Sequence, residues 1–133
     1  MNGISVKAYS KSKDGTKYLA KNFRVKEFAS KDGADPVFIS PDLVELLQQI
    51  RNHFGRAVTI NSGYRTAKHN KAVGGATCSQ HLYGTAADIK VAGVKPADVA
   101  AYAETLLPGT GGIGTYSTFT HVDVRATKAR WKG

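Results

Sequence analysis

Ser79-Gln80-His81-Leu82-Tyr83-Gly84-Thr85-Ala86-Ala87-Asp88 is the most informative run in the chain. It sets a histidine at the end of a loop, a glycine where the backbone bends sharply, and an aspartate within a strand that reads as buried from Thr85 to Val91. The small residues Ala86 and Ala87 leave room beside that aspartate. A second run, Phe119-Thr120-His121-Val122-Asp123-Val124-Arg125, alternates polar and apolar side chains. Strand side chains point to opposite faces in turn, so His121, Asp123 and Arg125 share one side and Val122 and Val124 the other. Phe119 falls on the polar side, against the pattern. If the two strands are neighbours, His81, Asp88 and His121 converge. Two imidazoles and one carboxylate suit Zn2+ with a fourth position left for water, and such a site would be hydrolytic. The plain alternatives are an aspartate paired for structural reasons and a histidine satisfied in the core. A His and an Asp seven positions apart are not by themselves a specific motif.

Punctuation on either side of these runs sets the organisation. Ile4, Val6 and Ala8 alternate with polar residues and Asp14-Gly15 is a two-residue turn signal. This predicts a small basic hairpin or arm over residues 3–20, so residues 1–21 form an N-terminal arm and 22–133 one domain, its compact part beginning at Asn22-Phe23. Lys31-Asp32-Gly33-Ala34-Asp35-Pro36 reads as a solvated turn; its spacing and missing downstream Glu do not match a calcium-binding loop. Ser40-Pro41 supplies an N-cap and a proline at the first helical position, Leu43, Leu46, Leu47 and Ile50 recur at helical spacing to about His53, and Gly55 is the stop. Ala57–Ile60 is a short strand, Asn61–Arg65 a turn, and Thr66 caps a short helix to about Val73 that Gly74-Gly75 breaks. Pro96–Leu107 is an amphipathic helix and Pro108–Gly112 a flexible loop. Ile113–Tyr116 and Phe119–Arg125 are strands joined by a polar turn. The basic tail Lys128–Lys132 carries Trp131, which packs on the body. Two main helices and several short strands in irregular order predict an α+β domain, a small antiparallel sheet with flanking helices.

Composition bounds the function. The 133 residues hold 19 Lys+Arg against 10 Asp+Glu, a formal charge of +9, which favours nucleic acid, an acidic membrane face or an anionic wall polymer. Six of the ten acids lie in the first 45 residues, so Asp88 and Asp123 each need an explanation. Cys78 is the only cysteine, which excludes an intramolecular disulfide and a Cys-rich zinc knuckle. No apolar run approaches the roughly 20 residues that span a bilayer. Met1–Tyr9 lacks the basic start and apolar core of a secretory leader. No phosphate-binding loop is present, and the basic residues are scattered without interleaved aromatics, which argues against a specific nucleic-acid site.

Several motifs in order resemble one family. Ser79-x-His81-x-x-Gly84-x-Ala86-x-Asp88, then Gly111-Gly112-Ile113-Gly114-x-Tyr116, then His121-Val122-Asp123, resemble the zinc D-alanyl-D-alanine carboxypeptidases of peptidase family M15, which share the Hedgehog/DD-peptidase fold. Ser62-Gly63-Tyr64-Arg65 is similar to that family's arginine segment. Asn22-Phe23 with Glu27-Phe28, and Ala129-Arg130-Trp131, are similar to its compact single-domain members, so the likeness covers about residues 22–132. The resemblance implies zinc held by His81, Asp88 and His121. It also implies that Arg65 stabilises an oxyanion or anchors the substrate's terminal carboxylate, although an arginine tying down a turn is the structural alternative. The implied partners are peptidoglycan stem peptides and anionic cell-wall polymer, with no membrane insertion and a monomeric chain. The implied place of action is the bacterial wall, and absence of a leader suggests a phage- or prophage-type lysis protein, an endolysin.

One position departs from the pattern. Many relatives place an acid or a histidine three residues before the last ligand as general base, and here that residue is Thr118. Asp123 is the nearest substitute as a catalytic group; it activates the water or orients His121. Thr118 therefore keeps a noncatalytic wall-binding module as the competing reading. His69 reads as a surface histidine, His53 as a partner of its helix dipole, and Tyr83 and Tyr116 as cleft or core residues. Cys78 raises a cysteine hydrolase, but proximity in sequence to His81 does not orient the pair.

Overall fold

In the computed structural model, which describes residues 5–133, β1 (Lys7–Ser10), a one-turn helix α1 (Lys11–Asp14), β2 (Tyr18–Ala20), β3 (Phe23–Arg24) and β4 (Pro36–Ile39) precede the long helix α2 (Pro41–Phe54). Then follow β5 (Val58–Ser62), α3 (Ala67–Ala72), β6 (Ala86–Val91), α4 (Pro96–Leu106), β7 (Gly112–Thr115), β8 (Thr120–Asp123) and β9 (Ala129–Lys132). The principal sheet runs β5-β6-β8-β7-β9, antiparallel except that β9 joins β7 in parallel. The predicted α+β class holds. Among the described residues no helix is long and apolar enough to cross a membrane.

The two faces of this sheet do different work. Ala87, Ile89, Ile113 and Val122 face one way into the core, with Val58, Ile60 and Val91 beside them, and meet Leu43, Leu46, Leu47 and Ile50 of α2 and Val99 and Ala103 of α4. Each fully buried Leu, Ile or Val contributes roughly 1.5–3 kcal/mol. The registers Asp88↔His121 and Ala86↔Asp123 put the alternate residues on the opposite face. On the neighbouring strand Gly112 and Gly114 fall on that same face, opposite Asp123 and His121. A Cβ on Gly112 would lie 2.2 Å from Asp123 Oδ2, and one on Gly114 2.5 Å from the Trp131 ring. The two glycines are space for polar and aromatic side chains. Of the loop expected over Pro108–Gly112, residues 108–111 stay irregular and Gly112 instead opens β7, with Gly111 N–H donating to Arg125 O and Gly112 N–H to Asp123 Oδ1.

The expected N-terminal hairpin does not form over residues 5–20, and Ile4 lies outside the described residues. Lys7–Ser10 pairs with Pro36–Ile39, and Tyr18–Ala20 with Phe23–Arg24. Asp14 closes α1 and accepts from the Ser10 N–H instead of turning a hairpin, while Asp35 Oδ2 accepts from Ser10 Oγ. The Asp-Gly signal is local; the long-range pairing with Val37 and Ile39 buries more. Elsewhere the boundaries move little. Gly55, at φ 62, ends α2, and Thr66 caps α3 by accepting from His69 N–H. Ser40 sits at the N-cap of α2 without a side-chain bond to it. Phe119 precedes β8 and stacks on Tyr116, so its violation of the alternation is only apparent. The basic tail is a strand, β9.

Candidate metal centre

Antiparallel pairing of β6 with β8 sets Asp88 directly beside His121. His81 arrives from a 3-10 turn, Gln80–Tyr83, that ends on Gly84 at φ 73. A Cβ there would lie 2.2 Å from the Phe38 carbonyl oxygen, so only glycine lets this turn press against β4. Ser79 Oγ accepts from the His81 N–H, and the His81 carbonyl accepts from the Arg65 N–H, tying the turn to the segment after β5.

The rings are oriented by their outer nitrogens. His81 Nδ1 donates to the Gly63 carbonyl at 2.7 Å, leaving the Nε2 lone pair toward Asp88 Oδ1 at 3.3 Å. His121 Nδ1 lies 2.9 Å from the same Oδ1, and its Nε2 lies 2.7 Å from Asp123 Oδ2. His81, Asp88 and His121 each offer an atom within 4.8 Å of the others, and all three residues are buried. With His81 Nδ1 and His121 Nε2 committed to their outer partners, the neutral rings turn two lone pairs on one carboxylate oxygen, a grouping that a proton or a divalent cation bridges. A tetrahedral ion with bonds of about 2.0–2.1 Å holds its ligand atoms about 3.3 Å apart, close to the spacings here. The donor set fits a divalent cation such as zinc.

Asp123 is fully buried and saturated. Its Oδ1 accepts from Gly112 N–H, Arg125 N–H and Arg125 Nε, and its Oδ2 from His121 Nε2 and Arg125 Nη2. Burial alone would raise the Asp88 and Asp123 carboxyls, but hydrogen bonds from His121 and, respectively, His81 and Arg125 override it and hold both well below the usual carboxylate range. Burial would likewise lower the His121 imidazolium; the carboxylates of Asp123 and Asp88 on its two nitrogens outweigh that and raise it. Arg125 is raised in turn by its bond to Asp123.

The centre opens into a cleft of about 580 Å³ lined by Arg65, the 73–81 loop, Tyr116, Phe119, Arg125 and Trp131. Arg65 reaches Ser62 Oγ at 3.1 Å, Asn70 Oδ1 at 3.2 Å and Asp88 Oδ2 at 3.5 Å. All five sequence-predicted residues, Arg65, His81, Asp88, His121 and Asp123, thus belong to one connected cluster. Tyr116 and Cys78 line the cleft, whereas Tyr83 is exposed and outside it. His81 turns its free nitrogen to Asp88 rather than to a thiol. Thr118 is exposed on the turn between β7 and β8. His69 is half-buried on α3, and His53 stacks on Tyr102 at 3.6 Å, joining α2 to α4. Sequence reasoning missed Asn70, which holds Arg65 and the Ala76 carbonyl, and the Gly63 carbonyl that orients His81. Neither leaves a signal, because one is an amide in a short polar helix and the other is backbone. Arg125 and Trp131 were visible as residues but not as parts of a site.

Residues 16–123 match the protein family described as Peptidase M15. The chain is similar to the probable peptidoglycan L,D-endopeptidase MepK of Haemophilus influenzae, 33% identical over 105 residues, covering 71% of this chain and 55% of that protein. It is also similar to the zinc D-Ala-D-Ala carboxypeptidase of Streptomyces albus G, 46% identical over 44 residues, covering 32% of this chain and 17% of that protein. The chain spans about half, or less, of the length of these curated relatives.

Proposed function

The chain belongs to the peptidase M15 family, and on that premise we propose that it is a zinc peptidase of peptidoglycan stem peptides, a D-Ala-D-Ala carboxypeptidase or a wall endopeptidase. One observation carries the reading: the buried convergence of His81, Asp88 and His121 at the floor of an open cleft. His81 Nε2, Asp88 Oδ1 and His121 Nδ1 would hold the ion. When bound, zinc lowers the pKa of a water toward ~7 and polarises a carbonyl.

The remaining roles fall to the protein's own groups. The Gly63 carbonyl fixes the His81 tautomer and Asp123 fixes that of His121. Asp123 lies beyond the His121 ring, on Nε2, away from the atoms that face Asp88; we read it as a positioning group rather than a proton acceptor. Arg65 would stabilise negative charge developing on the substrate carbonyl oxygen, or anchor a terminal carboxylate. The formal charge of +9 supports attraction to anionic wall polymer, with action outside the cytoplasm.

A second reading, a wall-binding module without catalysis, is favoured by one feature: Thr118 supplies no base and Asp123 is sealed. Purified wall material incubated with zinc-loaded protein, with and without chelator, separates the two. Metal-dependent release of amines or terminal D-alanine supports the peptidase, and wall binding without release from any stem-peptide type overturns it. One equivalent of zinc in the wild type and none in His81→Ala is the expected metal content.

A further inference from the structure

Arg125 combines tight anchoring with unused capacity. Its Nε and Nη2 donate to Asp123 Oδ1 and Oδ2 at 2.8 and 2.7 Å, and its guanidinium lies 5.5 Å from the centre of the Trp131 ring. Trp131 is itself fixed by donating to Tyr116 Oη at 2.9 Å. The side chain nevertheless stays 28% exposed and lines the cleft, and Nη1 has no acceptor among the described residues. Nη1 is thus a donor edge left over from the brace on Asp123, on a side chain that lines the cleft.

Its position gives that edge a meaning. Across the sheet, Arg65 sits on the β5 side of Asp88 and His121, and Arg125 with Trp131 on the β8–β9 side. The two guanidiniums therefore flank the metal-ligand cluster. Asp88 is the only acid lining the cleft among the described residues, and it is already engaged by His81, His121 and Arg65. Asp123 takes the Nε and Nη2 edge of Arg125, so an acceptor for Nη1 within the cleft is one that a substrate would bring. We infer that Arg125 is a specificity-determining residue of the cleft, a pre-oriented anchor for a free carboxylate carried by the substrate peptide on the β8–β9 side of the bond that reacts. This rests on the peptidase reading above and adds the substrate class: peptides with a side-chain or branch carboxylate, in preference to their carboxamides. The pre-set fork reduces the ordering cost, and a charge-assisted bond supplies the discrimination.

The test uses zinc-loaded full-length protein and synthetic stem peptides in which each carboxylate is, in turn, replaced by its carboxamide. The readouts are kcat/KM and the Kd of the peptide by calorimetry. The wild type should prefer one free-acid form over its carboxamide by about 10- to 100-fold, and Arg125→Gln should bring that ratio close to one. Damage transmitted through Asp123 slows both peptides alike and cancels in the ratio. Arg125→Lys, which keeps the charge but cannot serve Asp123 and a ligand together, should lower the ratio several-fold and is the variant to use if Arg125→Gln does not fold or bind zinc. A wild-type ratio near one for every carboxylate, or a ratio unchanged in both variants, overturns the inference. If no peptide is cleaved yet the free-acid form binds more tightly through Arg125, the peptidase reading fails and the anchor stands.

Discussion

Two carboxylates flank one imidazole, and their surroundings are opposite. Asp88 meets His121 Nδ1 at 2.9 Å but keeps a side chain 12% exposed to the cleft, with a long 3.5 Å contact to Arg65. Asp123 meets Nε2 at 2.7 Å with no exposure and a two-nitrogen fork from Arg125. Asp88 Oδ1 faces two ring nitrogens that a proton or a cation can bridge; Asp123 faces only committed donors. The same residue type on the same face of one sheet is thus a candidate ligand in one place and a brace in the other, decided by which neighbours saturate it.

The largest effect should come from exchanging each carboxylate for an amide. Asp88→Asn should abolish stoichiometric zinc, read by metal analysis after dialysis. Asp123→Asn should still load one equivalent at saturating zinc but with affinity lowered by about 10- to 100-fold, read by competition with a coloured chelator. Its turnover when fully loaded tests the positioning role: activity at background despite full zinc would make Asp123 the proton acceptor instead.

A smaller effect sharpens the contrast without touching either carboxylate. Gly112→Ala puts a methyl group 2.2 Å from Asp123 Oδ2, on a short carboxylate side chain held in place by its bonds to His121, Arg125 and the Gly112 N–H. Overpacking of this kind should cost about 1–3 kcal/mol in urea unfolding and weaken zinc binding in the same direction as Asp123→Asn. Unchanged stability and affinity would mean that the brace tolerates displacement.

The smallest effect belongs to an exposed carboxylate with no part in the site. Asp32 is held down at about 2, chiefly by the hydrogen bond from Thr66 Oγ1 at 2.6 Å. A depressed folded-state value means that its stabilisation is present above the unfolded pKa near 3.8 and is lost as pH falls toward 2. The stability difference between wild type and Asp32→Asn should therefore shrink over that interval, measured by urea unfolding at each pH; a difference that persists below pH 2 would trace it to packing instead.

Much of this was legible in the chain itself because it depends on local rules. The capped helices Pro41–Phe54 and Ala67–Ala72, the buried strand through Asp88 and the alternation of His121 with Asp123 follow from residue spacing and stop signals. The expected hairpin at Asp14-Gly15 failed for the complementary reason: a turn signal competes with long-range strand pairing, and Val37 and Ile39 won it. Residue types and periodicity, properties of neighbours in sequence, determined the α+β class and named the ligand candidates. Tertiary structure alone decided that Gly63 lends a carbonyl to His81, that Gly112 makes room for Asp123, and that Trp131 returns on β9 beneath Arg125. Those are contacts between different strands and turns, outside the reach of helix or strand periodicity, and no local preference encodes which surfaces the burial of the core brings together.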